Sequence, residues 1–489
     1  LSMYGPVSSA PPTLWRETLP WVIVCLRMQG LGVIILAAGQ GKRMRSAVPK
    51  VLHPLGGRPL LAHVLDACAG LEPDAVRVVV GHGDERIREA FPSMDPAAWV
   101  VQPEQLGTGH AARCATDALG DFRGDLLILN GDVPLLSRRS LSGMLAEHRS
   151  GGHDLTLAVA TLPDPSGYGR ILRDPGGAIT GVVEERDATE AQRAIREINV
   201  GLYLAPADFL RAALAALDNR NHQGEYYLPD IAGFAARMEA RIGGVTLDDP
   251  REFRGVNKRE ELAWMEKALQ RDINRKWMEH GVTLKDPDST YIDAEAVIGE
   301  DTVIGPNSHL LGRTVVGAGC RIDGSAYLTD VRLGDAVHLR FSVVLDDCDV
   351  EEGVSIGPFA HLRPGTVLER DVHIGNFVEV KNSSVGEGTK ASHLSYIGDT
   401  DLGRESNIGA GTITCNYDGF AKHRTTIGDR VQVGSDTQLV APVEVGDDAY
   451  IGAGSTITKD VPAGALAVSR APQQHKEGWV ARFRARKSK

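Results

Sequence analysis

The sequence predicts two architectures in series: an α/β domain of crossover units on a largely parallel sheet, then a parallel β-helix. Two observations carry this. Between residues 31 and 257 short apolar runs alternate with helix-patterned stretches, and beyond 281 apolar residues recur at every sixth position. Glycine supports the second half: 55 of 489 residues exceeds the usual share of about 7%, and most of the excess lies after residue 295. The chain is therefore expected to divide into a leader over 1–30, an α/β domain over 31–257, a linker helix over 258–280, and a β-helix with a C-terminal tail over 281–489.

In the α/β part, the runs at 33–36, 76–80, 126–129, 155–159 and 201–204 read as buried strands. Short continuous apolar runs bounded by turn formers suit strands covered on both faces. Residues 60–69, 109–118 and 207–217 read as the helices between them. Alternation of this kind builds crossover units on a parallel sheet, whose ligands bind beyond the carboxyl ends of the strands. Residues 258–280 (KREELAWMEKALQRDINRKWMEH) are charged, helix-favouring and free of Pro and Gly, which predicts a connecting helix.

The six-residue period runs through Ile298, Ile304, Leu310, Val316, Ile322 and Leu328, again through Val350, Ile356, Leu362, Leu368, Ile374 and Val380, and a third time through Ile427, Val433, Leu439, Val445, Ile451 and Ile457. No helix has a period of six. A prism of three short parallel strands per coil does, with one apolar residue of each strand pointing inward. Each coil of about 18 residues buries its interior only by stacking on its neighbours. The period slips twice, with Val385 five residues after Val380 and Leu402 five after Ile397. After Ile413 the stretch TCNYDGFAKHRTT interrupts it before Ile427, which predicts a surface loop of the kind that carries function.

A formal net charge of −11 argues against a nucleic-acid binder, which advertises a basic domain. The one basic cluster, Arg482, Arg484, Arg486, Lys487 and Lys489, reads as a solvated terminus. Cys25, Cys68, Cys114, Cys320, Cys348 and Cys415 are scattered without a CxxC pair, so neither a zinc site nor a disulfide framework is expected; reduced thiols in a cytosolic protein fit best. The apolar run at 21–26 is far short of the ~20 residues that span a bilayer, and no small-residue cleavage motif follows it, so neither a membrane anchor nor a signal peptide is expected. Residues 1–29 read as a leader, or as an over-long start with Met28 as the true one.

The strand at 33–36 runs into Ala37-Ala38-Gly39-Gln40-Gly41-Lys42-Arg43-Met44, followed by Pro49-Lys50. Glycines let the backbone approach a phosphate, and successive N–H groups form an anion-binding nest. Arg43 and Lys50 add full charges. Neither GxxxxGK[ST] nor GxGxxG is present. The pattern LAAGxGxRM with PKxL resembles that of the sugar-nucleotidyltransferases. Gln102, Gln105-Leu106-Gly107-Thr108-Gly109, Leu129-Asn130-Gly131-Asp132, Gly167-Tyr168-Gly169-Arg170, Glu184, Asn199 and Asn257 follow in order. The chain is most similar to the bifunctional N-acetylglucosamine-1-phosphate uridyltransferase/glucosamine-1-phosphate acetyltransferase family, from about residue 31 to the end.

The resemblance implies a Rossmann-like nucleotidyltransferase domain followed by a left-handed parallel β-helix of hexapeptide repeats, assembled as a homotrimer. It also implies roles. Leu36, Ala37, Ala38 and Gly39, with Gln102, Gly107 and Thr108, would hold the uridine nucleotide of UTP. Gly169, Glu184 and Asn199 would hold the sugar of N-acetylglucosamine 1-phosphate, and Asp132 and Asn257 would hold Mg²⁺. A sugar 1-phosphate is already a nucleophile and needs no base. The barrier is charge repulsion, which Mg²⁺, Arg43 and Lys50 would neutralise. Asn130 beside Gly131 departs from the Tyr or Ser expected there.

In the β-helix half, Arg363 (HLRPG), Lys381 (VEVKN), His393 (ASHLSYIGD), Tyr396, Asn407 (NIGAG), Asn416-Tyr417, Ser435 (GSDTQLVAP), Ala453 (IGAGST) and Arg470 match the acetyltransferase part of the same family. Acetyl transfer to an amine needs a base, and histidine is poised near neutral pH, so His393 is the expected general base. The resemblance implies that Arg363 and Lys381 grip the phosphate of glucosamine 1-phosphate, with Tyr396 and Asn407 on the sugar. Asn416 and Tyr417 would approach the acetyl group, and Ala410, Ser435, Ala453 and Arg470 would line the acetyl-CoA groove, at a site shared between subunits. His361 and His373, twelve residues apart, would lie on different faces of the prism and could not share a zinc ion within one subunit. A monofunctional sugar-nucleotidyltransferase with a purely oligomerising β-helix is the alternative, but a structural solenoid needs none of the residues around His393.

Overall fold

The structure is a computed structural model that describes residues 30–39, 41–81 and 84–487. Residues 1–29 of the expected leader, with the apolar run at 21–26 and Cys25, and Gln40 of the glycine-rich turn lie outside the described residues, whereas Gly30 begins the first strand. The first half is built on a nine-stranded sheet. Its main path runs Ile242–Thr246, Leu155–Thr161, Glu197–Pro206, Gly124–Asn130, Gly30–Leu36, Ala75–Val80, Trp99–Val101. The hairpin Gly169–Arg173 and Ile179–Val183 pairs onto Glu197–Pro206.

The central strand shows why its sequence is apolar without alternation. Val33, Ile34 and Ile35 are fully buried. Ile34 joins a core with Ala112, Leu210 and Ile231 on one face, whereas Val33 and Ile35 join Leu61, Val64 and Leu141 on the other. Helices cover both faces, as parallel sheets require.

One expectation is corrected. The run at 201–204 belongs to Glu197–Pro206, which pairs antiparallel with both Gly124–Asn130 and Leu155–Thr161. Its register shifts between Asn199 and Tyr203, around Gly201 at φ 86°. The chain enters this strand from the Gly169–Val183 hairpin rather than through a crossover helix, and a short apolar run carries no sign of strand direction. The parallel pairs that matter for the site are intact. Gly30–Leu36 lies between Ala75–Val80 and Gly124–Asn130, with Leu36 opposite Asn130. The strand order therefore reverses at Leu36, and a crevice opens there.

The helix Arg259–Glu279 joins two cores. Met265 packs with Met44, Leu55, Leu60 and Val256, while Trp277 packs with Val282, Leu284 and Ile292 at the start of the solenoid. Glu266 accepts from the Gly56 N–H at 2.9 Å, and Asn274 donates to the carbonyls of Pro287 and Thr290 at 2.8 and 2.9 Å.

The second half is a solenoid of three parallel sheets with eleven, ten and nine strands. Ile304 pairs in register with Ile322, Leu310 with Leu328, and Val316 with Leu333. These inward residues form one continuous apolar core. Five-residue steps are more frequent than the sequence pattern suggested: Leu328 to Leu333 and Leu345 to Val350 join the two at Val385 and Leu402. All four fall at one corner, between the ten-stranded and nine-stranded sheets. A single left-handed residue turns each of them: Asp330, Asp347, Asn382 and Asp399, with φ between 41° and 53°. The interrupting loop leaves from the same corner. The inward residue before it is Thr414 and not Ile413, which is exposed. Thr414 Oγ1 accepts from the Gly398 N–H at 2.8 Å, so a hydroxyl takes the place of an apolar side chain.

Candidate active sites

At the strand-order reversal the chain leaves Leu36 with the Ala37 N–H bonded to Val79 O, while Gly131 N–H bonds back to Leu36 O. Gly41 adopts φ 58°, and a Cβ there would lie 2.9 Å from Lys50 Cβ, so only glycine lets the turn pass that close. Lys50 Nζ donates to Asp132 Oδ2 and, at 3.2 Å, to Asn257 Oδ1; Arg43 donates to the same Asn257 oxygen at 3.1 Å. Three segments far apart in sequence, the turn carrying Arg43 and Lys50 and those of Asp132 and Asn257, thus deliver two cations, a carboxylate and an amide oxygen to one point. One cation, the Lys50 ammonium, touches both oxygens, so the pair fits a small hard cation that takes few protein ligands and keeps its waters.

Two cavities meet at this point. One of about 300 Å³ is lined by Ala38, Gly39, Lys50, Gln102, Gly107 and Thr108. The other, of about 340 Å³, is lined by Gly169, Glu184, Asn199, Tyr227 and Asn257. Leu36, Thr108, Asn130, Asp132 and Glu225 belong to both. In the first, buried Gln102 donates to Gly107 O at 3.1 Å and Gln105 to Ala38 O at 2.7 Å. Gly107 sits at φ 107°, and a Cβ on it would come within 2.6 Å of Tyr226 O. Thr108 Oγ1 accepts from Leu228 N–H at 3.1 Å.

In the second cavity, Gly169 leaves room for a carboxylate: a Cβ there would fall 3.1 Å from Glu184 Oε1. Burial, reinforced by the charges of Asp230 and Asp187, pushes the Glu184 carboxyl above the usual range against the pull of Arg170. Buried Asn199 donates to the Tyr203 hydroxyl at 2.6 Å. Asp230, at the start of the helix Ile231–Arg237, is pushed up to about 6 by burial and then by Asp218 and Asp187. Sequence reasoning missed Glu225, Tyr227 and Asp230, because the segment around 225–230 carries no strand or phosphate motif.

On the solenoid, the corner between the eleven-stranded and ten-stranded sheets carries a column. Asn376 and His393 pair in register, and Ala410, Ser435 and Ala453 occupy the equivalent position of later coils. Backbone bonds run up the column, from Leu394 N to Asn376 O, Asp436 N to Ala410 O, and Gly454 N to Ser435 O. The Arg470 guanidinium donates to Ala453 O at its far end. His393 is exposed, and its Nδ1 lies 2.6 Å from Asn376 Oδ1. With the amide oxygen accepting, Nδ1 carries the hydrogen and Nε2 keeps a lone pair. Asn376 was not singled out from the sequence, since it lies in the preceding coil.

The adjoining ten-stranded sheet places Glu379 opposite Tyr396 and Lys381 opposite Gly398. Arg363 donates to Glu379 Oε1 at 2.8 Å. Lys422, on the loop, lies against Lys381, and that like charge lowers its pKa. Asn416 Nδ2 is 3.4 Å from the Tyr396 hydroxyl. Tyr417 instead spends its hydroxyl inside the loop, donating to Gly419 O at 2.7 Å. Asn407 lies on the eleven-stranded sheet opposite Lys390. His361 and His373 lie on the ten-stranded and eleven-stranded sheets respectively. Among the described residues no helix is long and apolar enough to cross a membrane.

A reversal-point crevice with converging cations, joined to a hexapeptide solenoid, defines a nucleotidyltransferase fused to an acyltransferase-type β-helix. The family model described as the MobA-like NTP transferase domain matches residues 33–222, and that of the bacterial transferase hexapeptide (six repeats) matches 295–330, 347–382 and 424–459. The chain is 50% identical over 457 residues to the bifunctional protein GlmU of Pelobacter propionicus, covering 94% of this chain and 99% of the relative. It is 50% identical over 451 residues to that of Alkalilimnicola ehrlichii, covering 92% and 96%, and 47% identical over 452 residues to that of Geotalea uraniireducens, covering 92% and 99%. The chain belongs to the bifunctional GlmU family, with a Rossmann-like nucleotidyltransferase fold followed by a left-handed β-helix.

Proposed function

We propose that the two constellations are the two active sites of a bifunctional enzyme that makes UDP-N-acetylglucosamine. At the solenoid site the amine of glucosamine 1-phosphate attacks the thioester carbon of acetyl-CoA. His393 Nε2 takes the amine proton, Asn376 fixes the ring through Nδ1, and the CoA thiolate leaves. Arg363 and Lys381 hold the phosphate, Tyr396 and Asn407 the sugar, and Asn416 and Tyr417 flank the acetyl group. Ala410, Ser435, Ala453 and Arg470 present a continuous corner along which the CoA chain lies. The site is completed by a neighbouring copy in a homotrimer.

At the reversal point a phosphate oxygen of N-acetylglucosamine 1-phosphate attacks the α-phosphorus of UTP, and pyrophosphate leaves. The glycine-rich turn with Gln102, Gly107 and Thr108 takes the uridine nucleotide, and Gly169, Glu184 and Asn199 take the sugar. Asn130 and Gly131 line the junction where the two substrates meet. Lys50 and Arg43 neutralise the charge that accumulates in the transition state. Asp132 and Asn257 would hold Mg²⁺, which when bound shields the phosphates from the attacking anion. The reactions belong to the cytoplasm, where UTP and acetyl-CoA are available. The convergence of Arg43, Lys50, Asp132 and Asn257 is the observation that carries this reading.

The test is incubation of purified protein with Mg²⁺, UTP, acetyl-CoA and glucosamine 1-phosphate, omitting one at a time. CoA release without UTP, and pyrophosphate release with supplied N-acetylglucosamine 1-phosphate, are expected. Pyrophosphate without any CoA release would leave the solenoid as an oligomerising device.

A further inference from the structure

The corner that launches the loop contains a carboxylate with no part in the chemistry above. Asn382, Asp399 and Asn416 occupy the same corner position in three successive coils. Asn382 Nδ2 donates to Asp399 Oδ1 at 2.6 Å, and Asn416 Nδ2 donates to Asp399 Oδ2. Asp399 and Asn416 are each only 7% exposed. At Asn382 and Asp399 the chain turns directly onto the next sheet through a left-handed residue, with φ 45° and 50°. At Asn416 it does not. The backbone leaves the solenoid, and it is pinned on return by the His423 N–H on Asn416 O at 2.8 Å and the Thr425 N–H on Asp399 O at 3.1 Å. Asp399 thus holds the loop where it departs by the Asn416 side chain, and where it returns by its own carbonyl.

We propose that Asp399 is a positioning residue for acetyl transfer, anchoring the 416–424 loop and placing Lys381 and Lys422 as a pair; this rests on the solenoid reading given above. The electrostatics agree with the geometry. Burial would raise the Asp399 carboxyl, but the bonds from Asn382 and Asn416, with the charges of Lys381 and Lys422, outweigh it and hold the group below the usual range. In turn Asp399 and Tyr396 oppose the mutual repulsion of the two lysines, which lowers the Lys422 pKa. The backbone ties both lysines to this corner, since the Asp399 N–H bonds to Lys381 O at 3.0 Å and Lys422 bridges to Tyr417 within the anchored loop, and two ammonium groups brought together there would receive a phosphate dianion.

Two substitutions separate the functions. Asp399→Asn keeps the shape and still offers Asn416 an oxygen but removes the charge, and its new NH2 faces Asn382, which must turn its own amide oxygen inward to accept. It is expected to raise the KM for glucosamine 1-phosphate about tenfold, the scale of one charge-assisted bond, with kcat within about twofold. Asp399→Ala also frees the Asn416 side chain and is expected to lower kcat for acetyl transfer about tenfold or more. Uridylyl transfer by the same preparations should be unchanged, which reports an intact α/β half, and an unaltered denaturant midpoint for the solenoid reports that its coils are folded. Because the isosteric Asn variant preserves packing, an Ala variant that fails to fold leaves the charge role still testable. Unchanged KM and kcat in Asp399→Asn, beside a wild-type protein that acetylates, would overturn the proposal. A wild-type protein that releases no CoA would instead overturn the solenoid reading on which it rests.

Discussion

Asp230 is expected to cost the protein stability at neutral pH, and Asp230→Asn should recover it. The carboxyl is half-buried beside Asp187 and Asp218, whose charges outweigh the pull of Arg237, and it is pushed from its ordinary 3.8 to about 6. That rise corresponds to about 3 kcal/mol if taken at full value. Solvent reaches part of the group and screens it, so about half, ~1.5 kcal/mol, is the expected effect. The sign follows from proton uptake. Between 3.8 and about 6 the folded chain binds more protons than the unfolded one, so this contribution is fully present below 3.8 and lost as pH rises through about 6. Asparagine does not titrate and should match protonated aspartic acid. The assay is urea unfolding of both proteins followed by hydrogen exchange in peptides from the Glu197–Pro206 strand, at about pH 7.5 and about pH 4. The variant should be more stable by ~1.5 kcal/mol at the higher pH and nearly equal at the lower. Equal stability at the higher pH, or the same gain at both, would refute the reasoning.

The other predictions concern the two sites separately. His393→Ala should reduce acetyl transfer by about 100- to 10,000-fold, the usual contribution of a general base, with pyrophosphate release unaltered in the same tube. Lys50→Ala should do the reverse, reducing uridylyl transfer about 100-fold or more while CoA release stays at the wild-type rate. Chelation with EDTA should stop pyrophosphate release and spare CoA release, and restored Mg²⁺ should recover it. Thr414→Val keeps the volume but strips a partner from the buried Gly398 N–H. It should destabilise the solenoid by about 1–2 kcal/mol in a denaturant titration.

The inward positions of the solenoid were readable because each coil repeats one physical requirement, an apolar residue at every strand. Where the requirement is met by a hydroxyl, as at Thr414, the pattern hides the true inward position and Ile413 draws attention instead. The steps at Leu333 and Val350 escaped for a similar reason. Val331 and Cys348, both buried, supply extra apolar residues that blur the period. In the α/β half, the strands and the glycine-rich turn stand out as local patterns. The antiparallel course of Glu197–Pro206 does not, since pairing direction depends on how the chain arrives. The partners of the candidate groups were the least legible: Asn376 under His393, Asp399 under Asn416, and Asp230 near Glu184 meet them across coils or loops.

The helix Arg259–Glu279 has a consequence for dissecting the protein. Its Trp277 closes the open end of the prism over Val282, Leu284 and Ile292. A stack of coils has no natural terminus and needs a lid at each end, so the segment that tethers the halves is also the stopper of the second. A fragment meant to carry the solenoid alone should begin ahead of residue 259. One begun at the first coil would expose a ring of apolar side chains and invite end-to-end association.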